Sequence, residues 1–166
     1  MALIVEDGTG KSDAESYISV TDAAKYHADR GNAAWVTVSA LPEQLLRRAT
    51  EYIDRTYRAR WKGARVLTAQ ALDWPRADVD TESSSVPSDS VPLAVCRACA
   101  ELALRADSVE LTPDYERGVV MEKVGAIEVH YDQASTQRKP RYEAIDAMLA
   151  PYLKPGGGAS VGLVRA

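Results

Sequence analysis

The sequence predicts a mainly α protein: a small bundle of about four helices with one β-hairpin and a flexible C-terminal tail. Three observations predict it. Apolar residues recur at helical spacing in several separate runs, the period changes to two around Gly125, and the last dozen residues are dominated by Gly and other small residues. At 166 residues, 46% hydrophobic and 27% charged, the chain has the size and composition of one domain with a real core. Residues 1–154 are read as that domain and 155–166 as the tail. There is no Phe, so Leu, Ile, Val, Tyr and three Trp must fill the core.

Residues 1–17 have no sustained period and read as extended or irregular. A first helix is expected in SVTDAAKYHADRG, where Ser19 can cap it, Asp22 sits near its positive end and Gly31 supplies the stop. A second is expected in SALPEQLLRRATEYIDRTY, opened by Ser39 or Ala40, with Pro42 in the first turn, where a missing N–H costs nothing. Its stripe is Leu45, Leu46, Ala49, Tyr52, Ile53 and Thr56. The stretch RWKGARVLTAQALDWPR follows, broken at Gly63, with a short helical turn expected at TAQAL. RADVDTESSSVPSDSVP, acidic and rich in Ser and Pro, reads as an exposed loop. A third helix fits SVPLAVCRACAELALRAD, capped by Ser90 with Pro92 in its first turn, and with a stripe of Val95, Cys96, Cys99, Leu102, Ala103 and Ala106. VVMEKV and AIEVHY then alternate as strands, Val120, Glu122 and Val124 on one face, Ile127, Val129 and Tyr131 on one face of the partner. After the polar link QASTQRKP, a last helix in RYEAIDAMLAPYL carries Tyr142, Ile145, Met148 and Leu149 and ends about Pro151.

Net charge is −4, which argues against bulk coating of nucleic acid. The charge is uneven: residues 46–76 sum to +5 and the remainder to −9, a bipolar distribution suited to charge-complementary contacts. The start MALIVEDGTGK has only three strongly apolar residues in a row, so neither a signal peptide nor a membrane anchor is expected, and a cytosolic setting follows by default. Two cysteines are too few for a disulfide scaffold.

LIVEDGTGKS superficially suggests a phosphate-binding loop, but the spacing G-x-x-x-x-G-K-S/T would put its first glycine at Val5, and the next helix starts too late to aim its N-terminus there. Asp7, Gly8 and Gly10 read as turn residues. Cys96 and Cys99 have C-x-x-C spacing, yet lie on the apolar stripe inside a helix, where core packing is expected rather than redox or metal chemistry. His27 and His130 stand in no catalytic or metal-ligand context. No catalytic, cofactor or metal residues are assigned, and an enzyme is not expected. The remaining signal is basic and aromatic. Arg47, Arg48, Arg55, Arg58, Arg60, Lys62 and Arg65 are interleaved with Tyr52, Tyr57 and Trp61, as single-strand binders combine a cationic track with stacking platforms. Arg55, Arg58, Arg60, Lys62 and Arg65 are the candidate DNA or subunit contacts. Trp61 and Trp74 are read as structural aromatics, mostly buried, that pin this segment to the bundle.

Four blocks in order, LIVEDGTG…AESYISVTDAAKYHADRGN, LLRRATEYID, RWKGARVLTAQALDWPRADV, and VPLAVCRACAELALRA followed by EKVGAIEVHY and LAPYL, resemble a family of tailed-bacteriophage proteins. The branch is labelled as DnaT-like single-stranded-DNA-binding proteins, and its layout is similar to phage head–tail connector (adaptor, head-completion) proteins. ALDWPR and EKVGAIEV are the most specific blocks. The resemblance covers roughly residues 1–155 and implies a structural virion protein made in the host cytoplasm. It implies a homo-oligomeric ring, commonly of twelve subunits, with portal and tail or neck proteins as partners, contact with packaged DNA, and no membrane partner. The alternative it implies is a single-stranded-DNA-binding replication accessory protein.

Overall fold

A computed structural model describes residues 2–113, 121–124, 127–130 and 141–155. Among them are four α-helices: α1 (Val20–Ala28), α2 (Pro42–Tyr57), α3 (Leu93–Ala106) and α4 (Glu143–Leu149). The fold is mainly α, as predicted. Two antiparallel strand pairs accompany the helices: β1 (Ala64–Arg65) with β2 (Arg76–Ala77), and β3 (Met121–Val124) with β4 (Ile127–His130). In the second pair Glu122 lies opposite Val129 and Val124 opposite Ile127, the hairpin expected from the period-two pattern. Val120, Gly125, Tyr131, the link 133–140 and the tail from 156 onward lie outside the described residues.

The core forms where α2 and α3 pack together, with α4 and α1 laid against α3. Leu45, Leu46, Ala49 and Ile53 of α2 meet Val95, Ala98, Cys99 and Leu102 of α3, and all are fully buried. Burying one Leu or Ile side chain in this way stabilises by about 1.5–3 kcal/mol. Ile145 and Leu149 bury the inner face of α4. Tyr57 at the end of α2 donates to Asp146 Oδ1 at 2.7 Å, and Arg141 pairs with the same carboxylate, which fixes α4 at that end.

Helix ends differ from expectation where tertiary partners replace local caps. Ser19 caps α1 as predicted, its Oγ accepting from Asp22 N at 3.0 Å. Helix α2 begins at Pro42 with Leu41 as its cap, and Asp107, just past α3, accepts from the N–H groups of Ser39 and Ala40 instead. Ser90 does not cap α3. Its hydroxyl donates to Pro87 O, and Pro92 stands just before the helix rather than in its first turn. Thr56, placed on the core stripe, is exposed, and Tyr57 is buried in its stead. A 3-10 turn at Ala33–Thr37, which buries Trp35, carried no periodic signal. No helix among the described residues is long and apolar enough to cross a membrane.

The segment after α2 is irregular but tightly tied. Trp61 pairs as an isolated bridge with Leu153, Lys62 N donates to Tyr152 O at 3.0 Å, and Lys154 N donates to Arg60 O at 2.7 Å, so the end of α2 is stitched to the end of α4. The chain then turns at Gly63, which has φ +62°. A Cβ there would lie 2.0 Å from Ala77 O, so only glycine lets β1 and β2 approach. TAQAL is a turn, not a helical turn, because Gln70 intercepts its backbone. The buried Gln70 amide takes Leu67 N at 2.9 Å and donates to Leu72 O and Pro75 O.

Candidate nucleic-acid interface

Helix α2 presents Arg47, Glu51, Asp54, Arg55 and Arg58 along one face, since residues three and four apart are neighbours on a helix. This face borders a groove of about 540 Å³, completed by Glu15 from the segment before α1 and by Leu72. Each arginine has a carboxylate. Arg47 pairs with Glu15 at 2.8 Å, Arg55 with Glu51 at 2.5 Å, and Arg58 Nε with Asp73 at 3.3 Å. The Arg55 and Arg58 side chains remain 65% and 63% exposed. The Arg55–Glu51 pair, open to water on both sides, contributes only about 0–1 kcal/mol, so an incoming phosphate can compete for Arg55 at small cost, whereas Arg58 leans on the buried Asp73 carboxylate.

Under the groove lies a buried polar cluster. Tyr17 donates its hydroxyl to Asp54 Oδ1, while Asp73 N donates to Asp54 Oδ2 at 3.1 Å and to the Tyr17 oxygen at 3.0 Å. Burial, and then the neighbouring Asp73 charge, pushes the Asp54 carboxyl from 3.8 up to about 7, against the downward pull of the Tyr17 hydroxyl. Burial likewise drives the Tyr17 phenol well above its ordinary value, so it stays a donor.

The five predicted contact residues separate into two groups. Arg55, Arg58 and Arg60 are exposed around the C-terminal end of α2, with the Arg60 guanidinium 6.0 Å from the centre of the Tyr57 ring. Lys62 and Arg65 differ from them in being bonded to backbone: Lys62 Nζ donates to Asp80 O and Pro151 O, both at 2.8 Å, and Arg65, itself exposed, donates to Gln70 O. Arg76 is the extreme case. It is 7% exposed, and its guanidinium donates to Lys62 O, Gly63 O and Asp73 O at 2.7, 2.9 and 3.1 Å, closing the loop that carries Trp74.

Trp61 and Trp74 have no exposed surface. They meet edge-to-face at 5.6 Å, Trp61 leans on Tyr57 at 5.8 Å, and Trp74 leans on Tyr152 at 5.9 Å. Both are buried, as expected, and Tyr52 and Tyr57 are buried as well. The arginines at the end of α2 therefore have no tryptophan platform beside them. Against this geometry stands one comparison: a family model described as "Putative DnaT-like ssDNA binding protein" matches residues 1–166. The chain belongs to that family. No curated protein and no solved structure matches it.

In this DnaT-like family member, the loop that superficially suggests a phosphate-binding loop is already filled from within. The Glu6 carboxylate, 4% exposed, accepts from the N–H groups of Gly8, Gly10 and Lys11, each at 2.9 Å. A nest of backbone donors is what a phosphate would need, and here an internal acid occupies it. The Lys11 ammonium is turned to Val5 O and Asp7. The two thiols are equally committed. Burial pushes Cys96 up to about 12 and Cys99 up to about 11, and Cys99 Sγ lies 3.3 Å from Thr50 Oγ1. Among the described residues no three His, Cys, Asp or Glu side chains are placed to hold a metal ion. Sequence reasoning missed the Tyr17–Asp54–Asp73 cluster. Its one local sign was an aspartate lodged between Ile53 and Tyr57, next to the apolar stripe of α2.

Proposed function

We propose that this family member is a non-enzymatic protein that holds single-stranded DNA by its phosphates, through Arg55, Arg58 and Arg60 at the C-terminal end of α2 and Arg47 further along the groove. The exposure of three arginines within six residues, in the one segment whose charge opposes that of the rest of the chain, carries this reading. The family description, which names single-stranded DNA, supports it. With the indoles buried, affinity comes from backbone charge rather than from base stacking, and depends steeply on salt. Fluorescence anisotropy with a labelled oligothymidylate tests it. Binding at low salt, weakened in an Arg55→Gln/Arg58→Gln variant and preserved in a folded Trp61→Phe variant, is the expected result. No binding at low salt would end the reading.

A second reading is a structural one: a head–tail connector subunit of a tailed-phage virion, assembled as a ring between portal and tail proteins. The pairing of Arg47, Arg55 and Arg58 with the chain's own carboxylates favours it, because such arginines can exchange partners across a joint between copies. The +5 segment against a −9 remainder would make that joint head-to-tail. Mass measurement of the full chain, alone and mixed with portal protein, tests this reading. A monomer in both, together with absence from purified virions, would remove it.

A further inference from the structure

The groove beside α2 contains a feature that a simple phosphate track does not need. Asp54 lines the groove and yet is only 5% exposed, and Asp73, which holds Arg58, is 1% exposed. These two buried carboxyl residues touch through the Asp73 N–H, and the solvent-facing Arg58 pairs with Asp73 while its charge also acts on Asp54. We propose that phosphate binding in the α2 groove is coupled to proton uptake at the buried Asp54 carboxyl, so that the protein grips a DNA backbone more tightly as the solution is acidified. This rests on the reading of that groove as the DNA contact.

The physical cause is charge bookkeeping in a poorly solvated place. A phosphate at Arg58 or Arg55 brings a negative charge to the mouth of the groove and draws on the guanidinium that compensates Asp73. Two carboxylates beneath it then face a weaker cation and a new anion, and taking one proton from water onto Asp54 relieves both. The DNA itself undergoes no covalent change. Asp54 already titrates near neutrality for reasons of burial, so a small added field is enough to move it.

The groups that face Asp54 leave it the natural acceptor of this proton. From the segment before α1, the Tyr17 phenol keeps its own proton and donates. From the start of β2, Arg76 is a fixed charge held against Asp73 O. From α3, the Cys99 thiol stays protonated. At the mouth, the Arg47 guanidinium beside Glu15 holds that carboxyl below its usual range, so Glu15 is already ionised and does not titrate near neutrality. Glu51 is paired with Arg55. His27, whose proton affinity burial lowers, sits on α1 against Ala100 O, away from the groove lining.

The test is oligothymidylate affinity of the full chain at constant ionic strength, from about pH 8 to about pH 6, a range in which neither the bases nor the phosphodiesters titrate. Wild type should gain roughly fivefold to tenfold in affinity on acidification, the range expected from one nearby charge acting on one proton. Asp54→Asn should be flat across the range, and close to the wild-type affinity at the acid end. Calorimetry of wild type in two buffers of different ionisation enthalpy should show about half a proton taken up per bound site near pH 7. This second measurement stands even if Asp54→Asn folds poorly. Measurable binding with no pH slope and no proton uptake overturns the coupling while leaving the DNA site intact, and so does an Asp54→Asn protein that keeps the wild-type slope. Absence of binding at every pH instead overturns the DNA site, and the coupling with it.

Discussion

Replacing Trp74 with Ala separates a structural indole from a stacking platform. The side chain has no exposed surface, so its removal leaves a cavity bounded by Trp61, Tyr152 and the Arg76-closed loop. Emptying a buried Trp site costs about 3–5 kcal/mol. Trp74 also makes two edge-to-face contacts, with Trp61 at 5.6 Å and Tyr152 at 5.9 Å, each worth about 0.5–1.5 kcal/mol beyond burial. The cavity figure already includes part of these contacts, so about 5 kcal/mol is the expected loss. That is a third or more of the stability of an ordinary domain. Urea denaturation followed by circular dichroism reads it as a lower midpoint at unchanged slope, and Trp74→Phe, which keeps one ring, should fall between the two proteins. DNA affinity of the folded Trp74→Phe protein should equal wild type. The reasoning is refuted if Trp74→Ala loses less than about 1 kcal/mol of stability while losing the 1–3 kcal/mol of DNA affinity typical of a stacked base.

Three further outcomes follow from particular contacts. Arg76→Gln should cost about 3 kcal/mol in the same denaturation assay, because one buried and two half-buried carbonyls lose a charged donor, and DNA affinity should not change in protein that remains folded. Gly8→Ala should destabilise by more than about 2 kcal/mol, since Gly8 has φ +101° and a Cβ would lie 2.0 Å from Asp89 O. The same variant would show no change in nucleotide binding, because Glu6 fills the loop. Asp54 holds its proton more tightly folded than unfolded, so its contribution to stability is full below about pH 4 and is lost as pH rises through about 7. Wild type should therefore lose a few kcal/mol relative to Asp54→Asn between about pH 5 and about pH 8, measured by thermal melts at both ends.

The helices were legible because each buries a stripe with its own local period: Leu45, Leu46, Ala49 and Ile53 in α2, and Val95, Cys99 and Leu102 in α3. Ser19 was legible for the same reason, since a cap and its N–H lie three residues apart. Burial of Trp61 and Trp74 followed from how seldom an indole is left exposed. What sequence could not supply were partners distant along the chain. Lys62 looks like Arg58 in sequence, but its acceptors are Asp80 O, 18 residues on, and Pro151 O, 89 residues on. Arg47 finds Glu15 across 32 residues, and the Asp107 that anchors the start of α2 comes from the far end of α3. Thr56 was misplaced because the core around α2 widens at its C-terminal end to take Tyr57, Trp61 and α4.

The central claim is that exposed arginines around the end of α2 hold DNA by its phosphates alone. The most direct measurement is the salt dependence of oligothymidylate affinity for wild type and for an Arg55→Gln/Arg58→Gln/Arg60→Gln variant. A single-stranded ligand contributes a slope of about −0.7 in log K against log salt for each phosphate neutralised, so the variant should lose about 2 from the magnitude of the wild-type slope. A wild-type protein with no detectable affinity at low salt, or a variant whose slope equals that of wild type, would contradict it.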